Sequence, residues 1–290
     1  MTAAYDRTHV VLTMRRRAHL AVSGVGSRWL TVVVRPLTGI ALLTSVAGVL
    51  GAQGVSAPAV AAGTQPVPLA PGAGSLRPDR VLNRVDTLTL LVTPKDSTER
   101  VYATLVRAVS RTAIGGAAAL RETQHYTFAT GRESEDTLDV LDSTLAPIRY
   151  FSASGTVMFD VRIDGKQIAG WQSDSIGARS AVKVEAPAAF FVSIMDEAFI
   201  AALPLELGAS ISMPLANPPA RTVQIATLRA VAIDTIATTN GKVACLRIVG
   251  PGSATTMWIA QRDHHLVRMH WTLPNGMSIW KLPMRDAALR

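Results

Sequence analysis

Val231-Ala-Ile-Asp-Thr-Ile236, Thr239-Asn240-Gly241-Lys242 and Val243-Ala-Cys-Leu-Arg-Ile-Val249 form the stretch that decides the fold. Two runs rich in β-branched residues flank an Asn-Gly pair. Asn and Gly accept the positive φ angles that tight hairpin turns demand, and the runs on either side suit a pleated, half-buried surface. The same arrangement recurs twice. Asp164-Gly165 separates Val157–Arg162 from Gln167–Trp171, and Asn275-Gly276 separates Leu266–Trp271 from Met277–Trp280. Three such units predict an antiparallel sheet.

Working outward, further strands are expected at Thr87–Thr93, Gln124–Thr130, Asp136–Leu141, Ile148–Ser152, Ser180–Glu185, Val223–Leu228 and Thr255–Ala260. The segment 101–114 reads two ways. Tyr102, Leu105, Val106, Val109 and Ala113 fit helical spacing, while Gly115-Gly116 fits a hairpin tip; the Gly pair favours strand. One helix is expected over 188–203, between Pro187 and Pro204. Proline suits a helix start because its φ is already helical and its missing N–H is not needed there. Phe191, Ile194, Met195, Ala198 and Ala202 line one face of that helix. The fold class is therefore mainly β: a curved antiparallel sheet, open or a half barrel, with one packed helix.

The N-terminus reads as an address. Arg15-Arg16-Arg17 and Arg28 precede an uncharged run, Leu37–Leu50, and small residues follow it. That run has the length of a signal-peptide core and is short for a membrane span. Met14 would give a more ordinary leader start. Residues 1–53 are expected to be a signal peptide or an N-terminal membrane anchor. In the anchor alternative a helix over residues 29–50 is retained in the inner membrane. Residues 54–78, rich in Ala, Pro and Gly, are expected to be a disordered tether, since they offer too little surface to bury. The exported domain is expected over 79–283, with a tail at 284–290, in the periplasm or otherwise outside the cytoplasm.

Charge supports the division. The formal net charge is +8, but Arg7, Arg15, Arg16, Arg17, Arg28 and Arg35 stand against Asp6 in the leader. Without them, 29 basic and 21 acidic residues become 23 and 20, a net +3. The basic excess is not on the folded part, where a nucleic-acid binder would carry it, so no nucleic-acid partner is expected. The single cysteine, Cys245, excludes an internal disulfide and reads as a small buried hydrophobe.

No G-x-S-x-G, H-E-x-x-H, P-loop or G-x-G-x-x-G pattern occurs. A non-catalytic protein with no cofactor is expected. His264, His265 and His270 invite a metal reading. On one strand, however, His264 and His270 would share a face about 20 Å apart, so solvated turn histidines are expected rather than ligands. His125 with Asp160 or Asp164 is not selected by any spacing.

The order Asp142–Pro147, the apolar 190–203 segment, Pro204-Leu205-Glu206-Leu207-Gly208, then Thr256-Met257-Trp258-Ile259-Ala260 and Leu266-Val267-Arg268 resembles a group of exported bacterial domains of unknown function. These are similar in outline to the periplasmic lipoprotein carriers LolA and LolB. The resemblance covers roughly 120–282. It implies an unclosed β barrel whose helical segments lid an apolar concavity. A lipid or other hydrophobic ligand would then lie near Trp171, Phe190, Phe191, Met195, Phe199, Trp258 and Trp271. The alternative expectation is a structural or interaction module with an envelope protein partner and no small-molecule site.

Overall fold

The structure is a computed structural model that describes residues 65–289, except 96, 194–195, 220 and 251–253; for 196–198 and 287–289 it describes the backbone alone. The expected leader, anchor and residues 54–64 lie outside the described residues.

Among the described residues, sixteen strands form one sheet. They are β1 (Val67–Pro68), β2 (Arg84–Thr93), β3 (Arg100–Ile114), β4 (Ala117–Phe128), β5 (Glu133–Leu141), β6 (Pro147–Ser154), β7 (Val157–Asp164) and β8 (Gln167–Ser173). Then follow β9 (Arg179–Glu185), β10 (Phe191–Val192), β11 (Ser210–Asn217), β12 (Thr222–Thr238), β13 (Gly241–Val249), β14 (Thr255–Ala260), β15 (Leu266–Thr272) and β16 (Ser278–Pro283). The spatial order runs β1, then β11 through β16, then β2 through β9, with β10 beside β11. The sheet is curved and does not close. The β16–β2 pairing joins its two meanders, with Trp280 opposite Leu91 and Leu282 opposite Thr89.

Long strands and bulges carry the curvature. β12 pairs with β11 through Thr222–Arg229 and with β13 through Arg229–Thr238, and its register shifts between Ala230 and Ala232. Such an extra residue bends a strand and increases its twist. The 101–114 segment is strand, as the Gly pair suggested. Ile114 faces Ala117, and Gly115 and Gly116 take φ of +57° and +84° between them. Two central residues with positive φ are what a two-residue primed turn requires.

The expected 188–203 helix is corrected. Phe191-Val192 is a short strand parallel to β11, and Ser193 N–H donates to the Ala216 carbonyl. Among the described residues of this segment, the helix is α1 (Asp196–Ala202). The reason is burial: Phe190, Phe191 and Val192 are consecutive and all fully buried. An amphipathic helix buries one stripe and cannot bury three successive residues equally. Residues 65–78, expected as tether, are instead laid on the domain. β1 pairs with β11, Leu69 and Leu76 are buried, and Arg77 N–H donates to the Ala202 carbonyl. Two leucines supply apolar contacts that Ala, Pro and Gly content alone would not.

The main core lies on one face of the sheet and includes Phe190, Phe191, Ile248, Met257, Met269 and Trp271. A smaller cluster of Ile236, Cys245, Trp258, Ala260 and Val267 packs on the other face. Met257 and Trp258 are successive strand residues and so point to opposite faces.

Candidate functional site

α1 and the turn before β15 separate two depressions. The first, about 170 Å³, is an apolar groove lined by Ile200, Leu203, Leu205, Leu207, Leu246, Ile248 and Ile259, with Glu206, Gln261 and His264 at its margin. Its lining comes from α1, from the alternating leucines after Pro204, and from one face of β13 and β14. Leu207 is 57% exposed at the rim.

The second, about 270 Å³, is a polar cleft lined by Arg80, Asn83, Arg84, Asp86, Asp263 and His265 over Val81, Val109, Ala201 and Leu266. Consecutive histidines therefore serve different depressions: His264 the groove and His265 the cleft. Backbone makes this possible. His264 has φ +57°, and its N–H donates to the Ala260 carbonyl, while Ala260 N–H donates to His265. The turn thus ends before β15 begins at Leu266.

Leu266 and Arg268, two positions apart on β15, do not share a face. Leu266 pairs with Ile259 and belongs to the main core. Arg268 pairs with Trp258 after a bulge and stacks on that indole from the opposite face, 4.5 Å from its centroid.

The cleft's charges are mostly paired. Arg84 Nη2 donates to Asp86 Oδ1 at 2.7 Å, and Arg107 Nη2 donates to Asp86 Oδ2 at 2.6 Å. Burial raises the Asp86 pKa, but the hydrogen bonds and charges of the two arginines outweigh it, and the carboxyl sits below its usual range. His265 Nδ1 is bonded to Asp263 Oδ1. Burial raises the Asp263 pKa as well, yet this contact and the imidazole's charge lower it overall. Burial first, and then the Arg80 charge, hold the His264 pKa below the usual histidine value. Arg80 is part-buried, and its guanidinium makes no hydrogen bond or ion pair among the described residues.

Behind the cleft runs a polar file. Strand register sets Asp86 opposite Arg107, Arg107 opposite Gln124, Gln124 opposite Asp136, and Asp136 opposite Ser152. The file crosses five strands, and Arg107, Gln124 and Asp136 within it are buried. Gln124 donates to Glu122 at 2.8 Å, and the Tyr150 hydroxyl donates to Asp136 at 3.0 Å. Burial pushes the Asp136 pKa up, against the hydrogen bonds from Ser152 and Tyr150.

The residues expected near a ligand are not gathered in one place. Phe190, Phe191, Phe199 and Trp271 share the main core, with the Phe191 and Phe199 rings 4.2 Å apart. Trp258 is on the opposite face, where its Nε1 donates to Asp234 at 2.8 Å. Trp171 lies on β8 beneath the Arg179 guanidinium, 4.0 Å from its ring centroid. Met195 lies outside the described residues. His125 faces Glu133 at 3.9 Å, and Asp160 accepts from Arg149 rather than approaching His125. The sequence reading missed Arg80, Arg84 and Asp86, which stand next to the expected tether. It also missed the spacing Leu203-x-Leu205-x-Leu207, which put a period of two directly after a helix and was the available signal.

The family profile described as "Protein of unknown function (DUF3108)" matches residues 91–279, from β2 to β16, and the chain belongs to this family. The groove lies within the matched span, while Arg80, Arg84 and Asp86 precede it. No curated protein and no solved structure matches the chain.

Proposed function

We propose that this member of the DUF3108 family is a non-catalytic, extracytoplasmic binding protein that holds one apolar chain in the groove beside α1. The observation that carries this reading is the groove itself, whose floor is aliphatic, with Glu206, Gln261 and His264 at its margin and an exposed leucine at its rim. Size narrows the occupant. Drug-sized ligands take pockets of roughly 300–1,000 Å³, and 170 Å³ is below that range. At ~30 Å³ per water-sized group, the groove takes about six such groups, which suits one small apolar moiety such as a segment of an alkyl chain. The curved, unclosed sheet with α1 beside the groove supports the same reading. The arginine-led leader and Leu37–Leu50 support delivery across the membrane.

Native mass spectrometry of the protein purified from cells tests the proposal, together with titration of a fluorescent fatty acid. A bound lipid-mass adduct and saturable binding are expected, with both lost in Leu205→Asp while the circular dichroism spectrum is kept. An unliganded protein that takes up no probe would sink the idea.

A second reading, a module of an envelope assembly, is favoured by β9, which ends the sheet with one side unpaired among the described residues. Arg179, Lys183 and Glu185 blunt that edge against indiscriminate pairing, so this reading ranks second. Crosslinking in intact cells through Lys183 would yield a defined partner; monomer alone would refute it.

A further inference from the structure

We infer that the chain held in the groove ends in an anionic head, and that Arg80 and Arg84 receive this head in the neighbouring cleft. The inference rests on the groove reading and adds the ligand's chemical class.

The two depressions are neighbours through backbone. Ile200 lines the groove and Ala201 the cleft; His264 lines the groove and His265 the cleft. A ligand lying across the His264–His265 turn would therefore meet aliphatic side chains at one end and guanidinium groups at the other.

The charges of the cleft favour an anion. Its two carboxylates are already engaged, Asp86 by Arg84 and Arg107, and Asp263 by His265. Asn83 is neutral, and its Oδ1 accepts the Arg111 N–H. Arg80 alone has no partner among the described residues. A guanidinium without a carboxylate beside it is available to take an incoming carboxylate or phosphate as its counter-charge. Arg84 is held by Asp86, which Arg107 fixes in turn, so a second guanidinium is already oriented. Planar guanidinium forks match the geometry of carboxylate and phosphate oxygens. The cleft, at about 270 Å³, is large enough for such a head.

The anion could belong to an amphiphile or arrive as a free ion, and three probes separate these sources. Decanoate, decanol and inorganic phosphate are titrated calorimetrically into the full-length chain, with the decyl probes below micelle formation. Decanoate is expected to bind about tenfold or more tightly than decanol, as for a charged hydrogen bond added to a common tail. Phosphate alone should bind far more weakly than decanoate. In Arg80→Gln the advantage of decanoate over decanol should disappear while decanol binding is unchanged; Arg80→Lys should restore part of it.

Equal binding of decanol and decanoate would overturn the head assignment and leave the groove reading standing. Phosphate as tight as decanoate, lost in Arg80→Gln, would make the cleft a free-anion site and overturn the amphiphile. Failure of both decyl probes would overturn the groove reading, and this inference with it.

Discussion

The buried guanidinium of Arg107 donates to the carboxylate of Asp86 at 2.6 Å, linking the interior of the sheet to the floor of the polar cleft. Arg107 is 1% exposed and the Asp86 side chain 20%. Removing one partner of a buried pair leaves a charge behind, which costs more than the pair contributes. Here Glu122 still acts electrostatically on Arg107, and solvent reaches Asp86. Asp86→Asn should therefore cost about 2 kcal/mol, less than the full buried-pair penalty. The urea midpoint of the purified variant measures this. A midpoint within error of the parent would contradict the linkage.

Asp86 and Asp136 sit in the same polar file with opposite pH behaviour. The folded-state pKa of Asp86 is depressed. Its stabilising contribution is present above the ordinary carboxylate value and is lost as pH falls through the folded pKa. That of Asp136 is raised by burial. Folded protein then binds a proton more readily than unfolded chain, so this group costs stability as pH rises from the ordinary value through the folded one. Asp136→Asn retains an acceptor for the Tyr150 hydroxyl but carries no charge. Its stability relative to the parent should be more favourable at pH 7 than at pH 4, read by chemical denaturation at both. A difference independent of pH, or one with the reverse slope, would refute the assignment.

Local signals carried most of the sheet into view. Asn-Gly, Asp-Gly and Gly-Gly pairs located hairpins because the φ angles they permit are set within two or three residues. The polar file stayed hidden for the opposite reason. Gln124 and Asp136 occupy alternate strand positions that read as solvent-facing, and only cross-strand register puts them side by side and buried. The helix was overextended because Phe191, Ile194, Met195, Ala198 and Ala202 satisfy helical spacing in the sequence, while the pairing of Phe191-Val192 with β11 is set by distant residues. Of the aromatic residues favoured as ligand contacts, Phe190, Phe191, Phe199, Trp258 and Trp271 are packed in the two clusters and Trp171 lies part-buried under Arg179, whereas the groove has an aliphatic floor.

Gly170 marks a place where two strands approach too closely for a side chain. It pairs with Val161, and a Cβ built on it would lie 2.1 Å from the Asp160 carbonyl oxygen and 2.7 Å from Val161 Cα. Both neighbours are backbone, so no rotamer change relieves the clash. Gly170→Ala should cost about 2–3 kcal/mol, as overpacking does, despite alanine's smaller conformational entropy in the unfolded chain. Thermal unfolding measures it; a variant as stable as the parent would mean that β7 and β8 are farther apart than described.

Cys245 offers a test of the opposite face of the sheet. Its thiol is buried among Ile236, Trp258, Ala260 and Val267, and donates to the Val243 carbonyl at 3.6 Å. Burial pushes its pKa up to about 11; the Arg268 charge opposes this, and Asp234 and Asp263 add to it. Only a thiolate attacks a disulfide reagent, so at pH 8 both access and ionisation protect the sulfur. Ellman's reagent should leave the native protein unreacted for hours and titrate one thiol in 6 M guanidinium. Between these limits the labelling rate should follow the opening of this part of the sheet, and Trp258→Ala should accelerate it by removing the largest side chain of the cluster around Cys245. Stoichiometric labelling of the native protein within minutes would show that this second cluster does not shield Cys245.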